Sequence, residues 1–184
     1  SGLFKEQMKA DGSNDPRYLI VYVDFCLWKI DKAPLQIDYK GIAEKLGDKP
    51  NPKKVAQVIA KLRREKLPNP TTFPNLGSFF INPIITKKQA KNLKKEFPEM
   101  PSITEQKQHF VKISAAWLIE RAGFKGRRDE HIGISDKHSL VLINYRDATA
   151  KDILTFAETI SNAVKKKFKI ELSIEPTILK SSEI

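Results

Sequence analysis

The sequence predicts an α+β fold in which helices pack on a small sheet. Three capped helical patterns, at residues 51–66, 86–97 and 149–168, alternate with short segments of strand character. A further apolar segment, Tyr18–Trp28, lies near the start. At 184 residues the chain suits one domain and part of another. We therefore expect a compact C-terminal layer of helices on a sheet and a partial N-terminal lobe that contains the Tyr18 segment.

The composition indicates a soluble protein with an anionic partner. Hydrophobic residues make up 40% and charged residues 30% of the chain, which is typical of globular domains. No apolar run approaches the roughly 20 residues that span a bilayer, and no signal-peptide pattern opens the chain. The net charge of +11 indicates a phosphate-bearing ligand, nucleic acid or an acidic domain as partner, and a solvated basic face is the alternative.

The N-terminal third contains one predicted strand and two predicted helices. Tyr18–Trp28 is rich in β-branched and aromatic residues on both faces, which predicts a strand between two layers. Cys26, the only cysteine, excludes an intrachain disulfide and is expected in the core. A short helix is predicted over Tyr39–Leu46, ending at Gly47. Asn51 then caps a longer helix whose first residue is Pro52.

The segment Lys66–Pro83 is the most unusual part of the sequence. Its four prolines after Lys66 predict a rigid, mostly extended path with turns rather than a regular element. Gly77 permits close approach of the backbone, and Ser78 follows it directly, ahead of two phenylalanines. A serine hydroxyl at a defined position is one interpretation, and an ordinary turn hydroxyl is the other.

The C-terminal half carries three further helix signals. Thr86 with Gln89 forms a capping-box pattern, Ser114 caps a short helix that ends at Gly123, and Thr149 opens the longest helix. The apolar stripe of that helix is Ile153, Phe156, Ala157, Ile160, Val164 and Phe168. Its lysines at 165–167 are expected to stabilise the negative end of the helix dipole.

Two strands are predicted in this half. Leu140–Asn144 reads as a short buried strand, and the segment after Phe168 alternates in the manner of a half-buried strand. One face of the latter is Ile170, Leu172 and Ile174, and the other is Glu171, Ser173 and Glu175. The three histidines have no metal-ligand spacing with carboxylates, so no metal site is expected.

The order of five stretches resembles the C-terminal half of the UDP-N-acetylenolpyruvoylglucosamine reductases, flavoenzymes that make UDP-N-acetylmuramate for peptidoglycan. The stretches are KLPNP, NLGSFFINP, VKISAAWLIERAGFKG, SLVLINYRDATAKDILTFAETI and FKIELSIEP. The similarity runs over nearly the whole chain, from Phe4 to Leu179. It implies a cytoplasmic bacterial enzyme in which NADPH reduces FAD and the flavin passes hydride to UDP-N-acetylglucosamine enolpyruvate.

The resemblance also implies the catalytic residues. Ser78 matches the proton donor of the family's G-S-F-F-x-N-P motif, and Glu175 matches a C-terminal carboxylate that hydrogen-bonds the developing enolate. A serine is a weak acid, but a carbanionic intermediate in a water-poor site is basic enough to take its proton. Burial near the substrate carboxylate would raise the pKa of Glu175 in the direction that this role requires.

Four further residues match positions that bind substrate in the family. Lys66 and Asn82 would hold the substrate near the flavin, and Lys112 and Lys125 would contact the UDP diphosphate, to which lysines are suited as point charges. Several positions depart from the family pattern and bear on the geometry of nucleotide binding. They are Ile81, Ile103, His138 and Ser173.

The resemblance implies that a flavin-binding half precedes these stretches. We therefore expect residues 1–66 to be a segment of the flavin-binding domain, residues 67–169 the substrate-binding domain, and residues 170–184 a strand and tail that return toward the flavin-binding half. By itself the chain is expected neither to hold FAD tightly nor to turn over. The alternative is a non-catalytic basic module for nucleic acid or a phosphate ligand, although the aromatic residues fall mainly on buried stripes.

Overall fold

The computed structural model describes residues 21–29, 32, 34, 35, 37, 42–47, 50–101, 104, 105 and 109–178. The chain divides into two compact units, Ser1–Ala60 with Pro176–Ile184, and Lys61–Glu175. The described residues form five helices and six strands. These confirm the α+β prediction. No helix in this part of the chain is long and apolar enough to cross a membrane.

The short helix of the first unit ends where the sequence predicts but begins at Ala43, whereas the prediction began at Tyr39. Helix α1 (Ala43–Leu46) ends at Gly47, whose φ of 65° suits glycine. Residues 39–41 lie outside the described residues. Helix α2 (Pro52–Lys66) begins in this unit and ends in the second. The side chain of Asn51 accepts the backbone N–H of Lys54 at 2.9 Å, so the predicted cap is confirmed.

The prediction of a buried strand at Tyr18–Trp28 is wrong over the residues that the structure describes. Residues 21–29 form no strand and all are exposed, and Tyr22 retains 88% of its accessible surface. Cys26 is also exposed, which contradicts the core assignment. A strand that is apolar on both faces is stable only between covering layers, and the described residues of this unit provide none. Residues 18–20 lie outside the described residues.

The second unit contains two antiparallel sheets of three strands each. The first has the order β1–β6–β5 and the second the order β2–β4–β3. The strands are β1 (Asn75–Ser78), β2 (Ile84–Thr86), β3 (Thr104–Glu105), β4 (Phe110–Lys112), β5 (Ile132–Ile134) and β6 (Val141–Asn144). Strand β6 confirms the predicted strand at 140–144. Strand β1 corrects the prediction that Lys66–Pro83 contains no regular element, because the four residues after Pro74 can all donate to a ladder.

The second unit also contains three helices, and each begins at its predicted cap. Helices α3 (Lys87–Glu96) and α5 (Ala150–Phe168) start with complete capping boxes at Thr86 and Thr149. Helix α4 (Ala115–Arg121) starts at Ser114, whose hydroxyl accepts the N–H of Trp117 at 3.2 Å. Gly123, with φ of 88°, follows its end. The predicted stripe of α5 is buried at Phe156, Ala157, Ile160, Val164 and Phe168.

An aromatic cluster joins the ends of the three helices. Phe97 at the end of α3 lies 5.1 Å from Phe168 and 5.9 Å from Trp117, measured between ring centroids. Such pairs add stability beyond the area that they bury. The cluster belongs to one continuous core that also contains Phe79 and Phe80. Residues 170–175 lie in the second unit, and the predicted domain boundaries at 66/67 and 169/170 stay predictions.

The capping box of α5 gives a first testable prediction. Thr149→Ala removes the hydroxyl that accepts the N–H of Asp152, so the free energy of unfolding should fall by about 1 kcal/mol. Thr155→Ala, at an exposed position of the same helix, is the control and should change stability by less than about 0.5 kcal/mol. Urea unfolding followed by circular dichroism measures both. Equal losses in the two variants would contradict the capping role.

The same box predicts a pH dependence. Hydrogen bonds from Thr149, first from its hydroxyl and then from its backbone, lower the pKa of Asp152 from its ordinary value of 3.8. The unfolded chain therefore takes up the proton first, so this stabilisation is complete above pH 3.8 and is lost as the pH falls through the lower folded value. Asp152→Asn should flatten the decline in unfolding free energy between about pH 5 and about pH 2. An equally steep decline in both proteins would contradict this prediction.

Candidate active site

A β-bulge in β1 positions the hydroxyl of Ser78. Asn75 pairs with Ile143 and Ser78 with Val141, so β1 carries one extra residue between these pairs. Gly77 occupies the bulge with φ of 64°, and the side chain of Asn75 accepts its N–H at 3.1 Å. Bulges change the face on which the next side chain lies. Ser78 is accordingly exposed whereas the following Phe79 is 1% exposed.

The C-terminal segment brings Glu175 beside this serine. The N–H of Glu175 donates to the carbonyl of Phe79 at 2.8 Å, and the N–H of Ile81 donates to the carbonyl of Ser173 at 2.9 Å. Phe80 and Ile174 form an antiparallel bridge between these two bonds. Glu175, which is exposed, therefore lies opposite the residue next to Ser78. The structure thus places the backbone of Glu175 next to that of Phe79, the residue after Ser78.

The burial pattern of this segment matches the predicted strand. Ile170 and Leu172 are 5% and 8% exposed, while Glu171, Ser173 and Glu175 are exposed. The apolar side chains hold the segment on the core, so the carboxylate of Glu175 remains on the accessible face. Glu171 forms an ion pair with Lys165 of α5, and the hydrogen bond and charge of this lysine lower the pKa of Glu171.

Asn82 ties the end of the phenylalanine segment to helix α4. Its side-chain oxygen accepts the N–H of Ala115, the first residue of α4, at 2.9 Å. The neighbouring Pro83 carbonyl accepts the N–H of Ile113 at 3.0 Å. This oxygen already accepts a hydrogen bond from the helix. Asn82 can therefore offer its two Nδ2 hydrogens to a ligand as donors.

Lys112 lies on the same connection between sheet and helix. It ends β4, where it pairs with Ile84 of β2 and Thr104 of β3. Its neighbour Val111 is buried in the core, so the alternation of a strand places Lys112 on the opposite face. Lys112 and Asn82 therefore approach α4 from two adjacent segments.

Lys125 lies beyond the other end of α4. Its Nζ atom contacts Oε1 of Glu120 at 3.0 Å. The hydroxyl of Ser139 donates to the other oxygen of Glu120 at 3.5 Å. The carbonyl of Leu140, the next residue, accepts the N–H of Phe79 at 2.9 Å. A chain of contacts thus connects Lys125 to the residue that follows Ser78.

Lys66 is not connected to this group in the same way. It is the last, exposed residue of α2, and the contacts recorded among the described residues do not tie its side chain to Ser78 or Glu175. Pro68, two residues on, is buried. The side chain of Asn69 accepts the N–H of Thr71 at 3.1 Å, which starts the turn that leads into β1.

The imidazole of His138, one of the positions that depart from the family pattern, accepts a hydrogen bond from the backbone. Its Nδ1 atom accepts the N–H of Leu140 at 3.3 Å, so the proton lies on Nε2. Partial burial lowers the pKa of His138 from its ordinary value of 6.5. The described residues bring together no group of three or more His, Cys, Asp or Glu side chains that could hold a metal ion.

Two cavities lie in the second unit, and none of the six predicted site residues lines either. One, of about 350 Å³, is lined by Pro68, Asn69, Gly126, Arg128 and Tyr145 among others. It therefore adjoins the sequence neighbours of Lys66 and Lys125. The other, of about 270 Å³, lies between His131 and the first turns of α5.

Sequence reasoning missed Glu120 and Ser139. Glu120 lies five residues before Lys125, a spacing that no helix-face rule connects, because the chain turns at Gly123 between them. Ser139 is 3% exposed, but its sequence context is that of a turn before a strand. The weak signal for Glu120 was a carboxylate near the end of α4, where the helix dipole disfavours negative charge.

Comparison with known proteins identifies relatives of this chain. The profile of the UDP-N-acetylenolpyruvoylglucosamine reductase C-terminal domain matches residues 69–179. A UDP-N-acetylenolpyruvoylglucosamine reductase from Xanthomonas euvesicatoria pv. vesicatoria is 41% identical over 167 residues, which cover 89% of this chain and 47% of the relative. One from Xylella fastidiosa (strain 9a5c) is 38% identical, with 89% and 47% covered.

A third relative and the lengths covered show how far the similarity extends. A reductase of the same name from Xanthomonas oryzae pv. oryzae (strain KACC10331 / KXO85) is 40% identical and covers 89% of this chain. The chain spans about half the length of the curated relatives that it matches. The matched domain includes β1 with Ser78 and the segment that carries Glu175. The chain belongs to the UDP-N-acetylenolpyruvoylglucosamine reductase family, and its second unit corresponds to the C-terminal domain of that family.

Proposed function

We propose that this chain supplies the substrate-binding half and two catalytic groups of a UDP-N-acetylenolpyruvoylglucosamine reductase. The observation that supports the proposal is the hydrogen bond from the Glu175 N–H to the Phe79 carbonyl, which joins the segment of Glu175 to the residue that follows the exposed Ser78. The name of the relatives supplies the reaction class. The substrate would be UDP-N-acetylglucosamine enolpyruvate and the product UDP-N-acetylmuramate, a precursor of peptidoglycan in the bacterial cytoplasm.

Ser78 is assigned the proton transfer. Hydride added to the terminal vinyl carbon of the enolpyruvyl ether leaves a carbanion, stabilised as an enolate, at the carbon next to the carboxylate. The Ser78 hydroxyl gives its proton to that carbon. The Gly77 bulge supports this role because it holds the hydroxyl on the exposed face while Phe79 and Phe80, both 1% exposed, fix the backbone immediately behind it.

Glu175 is assigned the stabilisation of the enolate. A carboxyl group that carries a proton can donate it to the developing enolate oxygen, and preorganised donors of this kind lower the barrier because they need no rearrangement during the reaction. Its backbone hydrogen bond to Phe79 provides that preorganisation. Binding of the substrate would exclude water from around Glu175, which strengthens such a hydrogen bond.

The cationic and amide groups are assigned to the substrate. Lys112 and Lys125 lie near opposite ends of α4 and would contact the diphosphate, while the Nδ2 group of Asn82 would donate to a substrate oxygen. Lys66 is assigned to the substrate by the family resemblance, without a supporting contact in the described residues. Part of the net charge of +11 would thereby balance the charge of the nucleotide sugar.

FAD and NADPH are proposed as cofactors of the complete enzyme. When bound, the reduced flavin supplies the hydride. The described part of this chain contains no glycine-rich loop that leads into a helix N-terminus, the usual cradle for dinucleotide phosphates. We therefore assign binding of the cofactor phosphates to the flavin-binding half. That half is also the proposed partner of this chain. This chain would contribute the exposed face around Gly77 and Ser78 to the flavin site. The space at this face is open, because a Cβ atom added at Gly77 would have no neighbour within 4 Å.

Binding of the substrate gives a third testable prediction. Isothermal titration should show saturable binding of UDP-N-acetylglucosamine enolpyruvate to the chain. Lys112→Ala and Lys125→Ala should each weaken it by about tenfold, the effect of losing a charge-assisted hydrogen bond. The control is Lys166→Ala, which removes one exposed charge from the last turn of α5 and should leave affinity unchanged.

The same titration tests the nucleic-acid alternative. A DNA duplex should bind weakly or not at all, since the aromatic rings of the second unit are largely committed to packing. Binding of DNA alone, with an affinity that falls steeply with salt concentration, would replace the enzymatic proposal by a basic binding module. No saturable binding of the nucleotide sugar would contradict the assignment of the substrate site to this chain.

Catalysis gives a fourth prediction. We would join this chain to the N-terminal part of the Xanthomonas euvesicatoria relative, in place of that protein's matching half. Ser78→Ala in this fusion should lower product formation by about 10²- to 10⁴-fold because the proton donor is lost, while NADPH still reduces the flavin. Ser161→Ala, a hydroxyl that contacts the Leu172 carbonyl, is the control. Normal product formation by Ser78→Ala would contradict the assignment.

A further inference from the structure

The carboxylate of Glu120 divides its two oxygens between two donors. Oε1 lies 3.0 Å from Nζ of Lys125, and Oε2 lies 3.5 Å from the hydroxyl of Ser139. Glu120 and Lys125 retain 47% and 43% of their side-chain surface. An ion pair that is this exposed contributes little to folding stability. The effect of this ion pair to consider is therefore the orientation of the two side chains.

The backbone around Lys125 is fixed on both sides. Gly123 has φ of 88° and Gly126 has φ of 68°, so the chain reverses direction on either side of Lys125. Between them Phe124 is 2% exposed, and its N–H donates to the carbonyl of Ile119 at 3.1 Å. The Cα atom of Lys125 is thus anchored by its neighbours, and the flexible part is its four-carbon side chain.

Ser139 connects this pair to the segment that holds Ser78. The serine is 3% exposed, and the hydrogen bond recorded for its hydroxyl in the described part of the chain goes to Glu120. The carbonyl of the next residue, Leu140, accepts the N–H of Phe79. Contacts through Glu120 therefore connect the Lys125 ammonium group to the segment that holds Ser78.

The location of Glu120 is electrostatically unfavourable by itself. It is the penultimate residue of α4, where the dipole of a helix disfavours a negative charge. The two donors offset this cost. An ammonium group has three N–H donors, so one can bind Glu120 while the others bind a ligand. Holding a lysine in one rotamer before binding reduces the entropy that the ligand must overcome.

We propose that Glu120 is a positioning residue that holds the Lys125 ammonium group ready for the diphosphate of the substrate. The proposal rests on the proposed function, which assigns Lys125 to that diphosphate. The competing effect has the opposite sign, because a carboxylate beside a diphosphate also repels it. If positioning dominates, removal of Glu120 weakens binding of a diphosphate, and if repulsion dominates, removal strengthens it.

The first experiment is a double-mutant cycle with UDP as the probe, measured by isothermal titration on the whole chain. Glu120→Ala should weaken UDP binding by about threefold, within the range of an exposed ion pair, and should have no effect in the Lys125→Ala background. Glu120→Gln keeps an oxygen acceptor and should fall between the parent and Glu120→Ala. The control is Glu171→Ala, which removes the carboxylate bound to Lys165 and should leave UDP affinity unchanged.

Two results of this cycle would overturn the proposal. Tighter binding of UDP by Glu120→Ala would mean that repulsion dominates. An equal loss of affinity on removal of Glu120 from the parent chain and from the Lys125→Ala variant would mean that Glu120 acts independently of the lysine.

The second experiment needs no ligand and separates this proposal from the proposed function. Carbon-13 relaxation at Cε should show Lys125 to be more ordered than Lys95, an exposed lysine of α3, and Glu120→Ala should abolish the difference. Equal mobility of the two lysines in the parent chain would overturn the positioning role. Ordered Lys125 without UDP binding would support positioning by Glu120 and contradict the diphosphate assignment under the proposed function.

Discussion

Two backbone hydrogen bonds between the Phe79–Ile81 segment and the Ser173–Glu175 segment organise the candidate site. They join residues almost a hundred positions apart in the sequence, one from Glu175 to Phe79 and one from Ile81 to Ser173. Phe79 also donates to Leu140, so the segment after the Gly77 bulge is held on both sides. This arrangement brings together the backbone segments that carry the hydroxyl and the carboxylate of the proposed reaction.

The core makes that pairing possible. Phe79 and Phe80 are both buried, with ring centroids 5.4 Å apart. Their packing fixes the backbone of the Phe79–Ile81 segment. The apolar face of the C-terminal segment packs into the same core. The exposed groups therefore lie on a rigid support, which suits catalytic and binding groups that must not move when charge develops. The Glu120 pair extends the same principle to a flexible lysine at the edge of the site.

Local rules predicted the helices well and the tertiary contacts poorly. The caps at Asn51, Thr86 and Thr149 followed from side-chain chemistry within four residues. The three-residue strands β2, β4 and β5 were missed because they are too short to show a strand periodicity. The buried strand at Tyr18–Trp28 was wrong over its described residues because burial depends on what covers it. Ser78 and Glu175 came from the family resemblance rather than from local physics, and the contact of Glu120 with Lys125 required the turn at Gly123.

Hydrogen exchange at the backbone amide of Glu175 tests the central claim most directly. This N–H is bonded to Phe79, so it should exchange at least about tenfold more slowly than the amides of the exposed residues 21–29, and Ile81 should be protected in parallel. Exchange of the Glu175 amide as fast as in residues 21–29 would contradict the account, because the backbone pairing of Glu175 with Phe79 would then be absent.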